Sequence, residues 1–86
     1  MQTTFKEFND PGHGWLKVPR ALLEKLGIVD KISGFSFEHG DHIYLEEDDD
    51  MSTFLDAMTS KNPTVNIQSR HTNHPSRIRS FKPYTL

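Results

Sequence analysis

Five consecutive carboxylates form the densest group of ionisable side chains in this sequence. They are Glu46, Glu47, Asp48, Asp49 and Asp50, with Glu38 and Asp41 a few residues before them. Dense negative charge can attract a basic protein surface or imitate nucleic-acid phosphates. A calcium loop does not fit, because the D-x-D-x-D-G spacing is absent and no glycine follows the acids. The sequence therefore predicts a protein partner with a basic surface, bound through these residues.

Histidines offer nitrogen ligands in two H-x-x-H pairs, His39 with His42 and His71 with His74, and His13 could add a third nitrogen. Residues three apart on a hairpin are expected to point to opposite faces, which argues against joint zinc coordination by the first pair. We therefore expect no metal and no cofactor.

Enzymatic motifs are absent from the sequence. The chain of 86 residues has no cysteine, no G-x-S-x-G and no G-x-x-x-x-G-K-[ST]. A chain this short also has little room for a dry substrate pocket. We expect a protein without catalytic residues.

All charged residues after Asp56, the last acidic residue, are basic. The charge is -7 up to Met58 and +5 from Thr59 onward, which together give the net charge of -2. Arginines near Phe81 and Tyr84 suit phosphate pairing and base stacking. Nucleic-acid binding is therefore the alternative function, and its candidate residues are Lys17, Arg20, Arg70, Arg77, Arg79 and Lys82. The other interpretation is a tail that docks on the acidic body or stays disordered.

The acidic run lies between a predicted hairpin and a predicted helix. Phe35 and Phe37 alternate with polar residues, Gly40 suits a tight turn, and Ile43 and Leu45 alternate on the return strand. Strand register stays open, because a slip of one residue would exchange the two faces.

The helix after the acids has its apolar residues at i, i+3, i+4 and i+7: Met51, Phe54, Leu55 and Met58. Asp49 or Asp50 is expected to cap its first turn. A solvated turn with a helix cap is therefore the alternative to a binding surface.

A shorter helix is predicted earlier in the chain. Residues 15–18 suit a strand, Pro19 suits the first position of a helix over residues 20–26, and Gly27 suits its left-handed C-terminal cap. Together the patterns predict a small α+β fold with a three-stranded antiparallel sheet and two short helices over residues 1–58. A flexible basic tail, largely extended or disordered, is predicted over residues 59–86.

Three-stranded sheets of this size leave open strand edges around a small core, so we expect a homodimer. The first residues lack the pattern of a signal peptide, and no run approaches the roughly 20 apolar residues of a membrane span. The absence of cysteine suits a reducing compartment. We expect a cytoplasmic protein without membrane contact.

The order of motifs in residues 14–47 has a counterpart in a known family. GWLKVP at residues 14–19 is followed by RALLEKLGI at residues 20–28 and by a strand pair that ends in IYLE. This order resembles the AbrB/MazE-like (SpoVT-AbrB) swapped-hairpin domains. The resemblance implies a dimer of interleaved hairpins and a DNA-binding transcriptional regulator or antitoxin, with Lys17 and Arg20 at the DNA.

A second resemblance covers more of the chain. The strings HGWLKVP, DKIS, YLEEDDD and IRSF resemble small proteins encoded by phages, plasmids and integrated elements. It implies an accessory role, or a structural or assembly role in a phage. Our leading prediction is a non-enzymatic phage or mobile-element accessory protein that binds a partner protein through its acidic hairpin-helix surface.

Overall fold

The computed structural model describes residues 2–61 and 64–86. Its strands are β1 (Thr4–Asn9), β2 (Gly14–Pro19), β3 (Phe37–His39), β4 (His42–Glu46), β5 (Asn66–His71) and β6 (Lys82–Pro83). Its helices are α1 (Arg20–Leu26) and α2 (Asp50–Lys61), and the 3₁₀ turns are Val29–Lys31 and Arg77–Ser80. The predicted hairpin and both predicted helices are confirmed.

The six strands form one mixed sheet in the order β5-β1-β2-β4-β3-β6. β1 runs parallel to β5, and the remaining neighbours are antiparallel. The prediction of a three-stranded antiparallel sheet is therefore wrong, although the α+β class is correct. The additional strands are β1 near the start of the chain, and β5 and β6 from the predicted tail.

Two of the additional strands carry weak hydrophobic patterns. In β1, Phe5 faces the helices and Phe8 faces the other side of the sheet, because an odd separation along a strand changes the face. Every residue of β5 is exposed, so its place in the sheet depends on backbone pairing with β1. Neither strand shows the alternation by which a half-buried strand is found in a sequence.

Both helices pack on one face of the sheet, which we call the helix face. Its core includes the following buried residues: Phe5, Leu16, Val18, Leu23, Ile43, Leu45, Phe54 and Met58. The rings of Phe5 and Phe54 meet edge to face, with centroids 5.2 Å apart. Because Leu16, Val18, Ile43 and Leu45 alternate along β2 and β4, the intervening residues face the other side.

That other side, the aromatic face, carries Trp15, Tyr44 and Ile78 with Phe8, Phe37 and Phe81 packed around them. The 3₁₀ turn Arg77–Ser80 covers part of it. The candidate sites lie on either side of this turn.

The predicted glycine positions are confirmed. Gly27 ends α1 with φ 73°, and Gly40 forms the β3–β4 turn with φ 60°.

No helix in the described ranges is long and apolar enough to cross a membrane. The predicted homodimer stays a prediction. Met1 of the predicted domain, and residues 62 and 63 of the predicted tail, lie outside the described residues.

Candidate functional site

Glu46 holds the turn between β4 and α2. One carboxylate oxygen accepts hydrogen bonds from the backbone N–H groups of Asp49 (2.6 Å) and Asp50 (2.7 Å), and the other accepts from Asp48 (2.8 Å). Burial raises the pKa of Glu46, but these hydrogen bonds outweigh it and hold the pKa below its usual value. We predicted Asp49 or Asp50 as the cap. Glu46 takes this role because the turn points the N–H groups back at the end of β4.

Asp50 is a buried structural residue, only 2% exposed. Its carboxylate accepts hydrogen bonds from the Ser33 backbone N–H (3.0 Å), the Ser33 hydroxyl (2.7 Å) and the Ser36 hydroxyl (2.6 Å). The Ser36 hydroxyl oxygen in turn accepts from the Glu46 N–H (3.0 Å). These bonds join the segment before β3 to the start of α2. The Asp50 carboxylate is therefore occupied within the protein.

Glu38 is occupied as well. It forms an ion pair with Arg20 (3.2 Å) and accepts a hydrogen bond from the Thr85 N–H (2.9 Å). The Thr85 hydrogen bond is the main cause that lowers the pKa of Glu38, with a smaller effect from Arg20. The Arg20 guanidinium also lies 5.0 Å from the ring centroid of Tyr84. The ion pair thus joins α1 to β3, and its two members contact the C-terminal residues Tyr84 and Thr85.

Three acids of the run remain without internal partners. Glu47, Asp48 and Asp49 are exposed, and within residues 2–61 and 64–86 their carboxylates form no hydrogen bond or ion pair. Asp41 is also exposed, but it belongs to the hairpin turn, where its carbonyl accepts from the Arg20 N–H (2.9 Å). Thus the acidic run divides into residues that hold the fold and residues that are open to a partner.

The three open acids line a cleft of about 320 Å³, which we call the acidic cleft. Its aromatic side is formed by Trp15, Phe35 and Phe37. Its remaining lining residues are Glu46, Glu47, Asp48 and Asp49, with His13 and Arg79. The cleft therefore brings carboxylates and aromatic rings together in one lining.

Phe35 is the most unusual residue of the acidic cleft, because 78% of it is exposed. By contrast Trp15 is buried, and its ring lies 6.3 Å from that of Phe37. Glu47 lies close to the start of β2, since a Cβ at Gly14 would be 3.0 Å from its Oε2. An exposed aromatic residue next to open carboxylates is a combination that the sequence did not predict, because Phe35 was assigned to a half-buried strand.

Asp10 fixes the position of Arg79 in this cleft. The Asp10 carboxylate accepts from Arg79 Nε (2.6 Å) and Nη2 (2.8 Å) and from the Ser76 N–H (2.9 Å). It also accepts from the N–H groups of Gly12 (3.0 Å) and His13 (2.9 Å). These last two bonds form the Asx turn that Asp-Pro-Gly favours.

The predicted nucleic-acid residues fall into two groups. Arg79 and Arg20 are held in ion pairs inside the protein. Lys17, Arg70, Arg77 and Lys82 form no ion pair within the described part of the chain. Lys17 lies beside Tyr44 and Arg70 beside Phe8 in the strand register, whereas Lys82 lies beside Glu38.

His39 and His42 share a face of the hairpin. They are direct partners in the β3–β4 register, because they flank a two-residue turn. The argument that they point to opposite faces is therefore wrong. The His39 ring stacks on Phe81, with centroids 4.3 Å apart and planes 10° from parallel. Within the described residues, no three potential metal ligands come together.

Comparison of this chain with protein-family models, curated proteins and solved structures gave no match. The resemblance to swapped-hairpin domains stays a prediction.

Proposed function

We propose that this protein is a non-enzymatic binding module whose acidic cleft receives a basic segment of a partner protein. The observation that most supports this is the position of Glu47, Asp48 and Asp49. They are exposed, their carboxylates have no partner within the described residues, and they line the same cleft as the exposed Phe35. An accessory role in a phage or mobile element belongs to the proposal and rests on the sequence resemblance. A cytoplasmic location also belongs to it and rests on the cysteine-free composition.

Charge favours a cationic partner at this cleft. Three successive carboxylates that line one cleft carry charge of the same sign, and like charges repel over the roughly 8 Å within which physiological salt does not screen them. A bound cation relieves that repulsion. The same negative field attracts basic proteins from solution and speeds their association.

The aromatic side of the cleft favours arginine among the cations. A guanidinium is planar, so it can stack on Phe35 while its N–H groups donate to a carboxylate. A lysine ammonium is more strongly hydrated and cannot stack in this way. Aromatic residues with arginine partners are also enriched among the residues that dominate binding energy. We therefore propose an arginine-containing segment as the ligand.

The fixed turn beneath the open acids supports tight binding. Glu46 accepts three backbone hydrogen bonds from residues of the turn, and Asp50 is held by Ser33 and Ser36. The backbone that carries the open carboxylates is thus ordered before a partner arrives. Association then requires less loss of conformational entropy.

A peptide titration tests this proposal. A short oligoarginine peptide is added to the protein while the fluorescence of Trp15, the chain's single tryptophan, is followed. The variant E47Q/D48N/D49N removes the open charges. We expect its affinity to fall about tenfold or more, since each exposed ion pair contributes up to about 1 kcal/mol.

The matched control is E24Q/D30N/D56N, which removes the same number of charges from exposed residues outside the cleft. We expect this control to bind the peptide nearly as well as the unchanged protein. Equal losses in the two variants would mean that only net charge matters, and the proposal would be wrong. If E47Q/D48N/D49N bound the peptide as tightly as the unchanged protein, the proposal would also be wrong.

A further inference from the structure

A second site lies on the aromatic face, on the other side of the Arg77–Ser80 turn from the acidic cleft. Lys6 on β1 is the direct cross-strand partner of Lys17 on β2. Alternate residues of a strand share a face, and Phe8 and Trp15 belong to the aromatic face, so both lysines point to that side. Like charges in direct opposition destabilise a sheet. An anion between the two lysines would remove that repulsion.

Further positive charge lies next to this pair. Arg70 on β5 is the register partner of Phe8, and Gln68 is the partner of Lys6. Lys6, Lys17 and Arg70 form no ion pair within the described residues. Glu46 shares this face, but its carboxylate accepts backbone hydrogen bonds at α2. The charges on the face are thus left for an external anion.

The local field is consistent with this arrangement. His42 also lies on this face. It pairs with His39 of β3 and with Pro19 of β2. Burial lowers the pKa of His42, and Lys17 lowers it further. Asp41, in the adjacent turn, acts in the opposite direction with a smaller effect.

Aromatic rings adjoin the basic side chains in a cleft of about 300 Å³, which we call the aromatic cleft. Phe8, Tyr44 and Phe81 line it, together with His39 and Arg77. Phe8 is the neighbour of Arg70, and Tyr44 is the neighbour of Lys17. A cation and a ring are therefore direct neighbours between β5 and β1 and again between β2 and β4.

We propose that the aromatic face binds single-stranded nucleic acid, with Lys6, Lys17 and Arg70 on phosphates and a base in the aromatic cleft. A single strand presents both parts of this ligand, a repeating phosphate and an unstacked planar base. A duplex hides its bases in the stack. Strands β5, β1, β2 and β4 span about 14 Å, since neighbouring strands lie about 4.8 Å apart. The site is thus long enough for a short stretch of extended strand.

This site is independent of the proposed partner-binding function. The residues that line the aromatic cleft and those that line the acidic cleft do not overlap. The variants E47Q/D48N/D49N and K6Q/K17Q, which change residues of only one site each, can therefore test the two proposals separately.

Fluorescence anisotropy with labelled oligothymidine, measured over a salt series, tests the proposal. We expect binding that weakens with salt, and at least about tenfold weaker binding by K6Q/K17Q. The slope of log affinity against log salt should fall by roughly 1.4, because each neutralised phosphate of a single strand accounts for about 0.7. F8L should weaken binding without changing that slope, because base stacking releases no counterion.

The matched control is K25Q/K31Q, which removes two exposed charges from α1 and the 3₁₀ turn that follows it. Its affinity should equal that of the unchanged protein. If K6Q/K17Q does not fold, R70Q is measured in its place and should weaken binding. Arg70 is exposed and lies on the edge strand β5, which has no buried side chain. Equal loss in the control, unchanged binding by R70Q, duplex binding as tight as single-strand binding, or no binding at low salt would each overturn the proposal.

Discussion

Asp10 and Arg79 are 69 residues apart in sequence and form a two-pronged ion pair, with distances of 2.6 and 2.8 Å from the guanidinium nitrogens to the carboxylate oxygens. The Asp10 side chain is fully buried by this pairing. The same guanidinium lies 5.5 Å from the ring centroid of Trp15. One pair of residues thus joins the β1–β2 turn to the C-terminal segment, and its Arg79 lines the acidic cleft.

We expect D10N to lower the melting temperature. The amide would keep the shape of the side chain but lose the charge that Arg79 needs, and it would place an N–H₂ group against donors. Circular dichroism during heating measures the effect. The control is D56N, at an exposed position of α2 whose carboxylate forms no hydrogen bond or ion pair within the described residues, and it should melt like the unchanged protein. Equal melting of D10N would contradict the role of this pair.

Acid should weaken the fold through the same residue. The Arg79 hydrogen bond holds the pKa of Asp10 far below its usual value of 3.8. A carboxyl with a lowered pKa in the folded state contributes stability above the unfolded value, and this contribution is lost as the pH falls. We expect the unfolding free energy of the unchanged protein to decrease from about pH 5 toward pH 2, and that of D10N to decrease less. Parallel pH profiles would contradict this.

The Ser36 hydroxyl should contribute measurably to the stability of the fold. S36A removes the donor to Asp50 and the acceptor of the Glu46 N–H, and leaves both groups with fewer partners in a buried site. We expect a decrease of about 1–3 kcal/mol in the unfolding free energy measured in urea. S52A, at an exposed position of α2, should change the unfolding free energy by less than about 0.5 kcal/mol. A decrease in S36A no larger than that of S52A would show that the network is unimportant.

Local patterns predicted much of this fold from the sequence. Pro19 and Gly27 delimit α1, and Gly40 places the hairpin turn, because each conformation depends on neighbouring residues alone. Strand β5 has no such signal, since it exposes all its side chains and pairs with a strand near the other end of the chain. Its place in the sheet depends on distant contacts.

The candidate site was predicted only in part, for a similar reason. The sequence located the acidic run, but Glu46 through Asp50 have nearly the same chemistry. Which of them stay open depends on where the backbone N–H groups and the serine hydroxyls lie after folding. Likewise, the ion pair that holds Arg20 to Glu38 depends on the register of β3. A sequence pattern does not fix these distances.

Truncation of Phe54 should lower stability, whereas truncation of Phe35 should lower peptide affinity. Phe54 is fully buried in the helix face, so F54A should cost about 3–5 kcal/mol of unfolding free energy. Phe35 is exposed and lines the acidic cleft, so F35A should leave stability within about 0.5 kcal/mol and weaken oligoarginine binding. Urea unfolding and the peptide titration measure the two effects. Full peptide affinity in F35A would remove Phe35 from the binding site.

The measurement that tests the central claim most directly is a map of backbone amide chemical shifts while isotope-labelled protein is titrated with the oligoarginine peptide. The account predicts that the largest changes fall on Glu47, Asp48, Asp49 and Phe35, together with the indole N–H of Trp15. Changes concentrated on Asp41 and the hairpin turn, or on the exposed acids of the two helices, would contradict it.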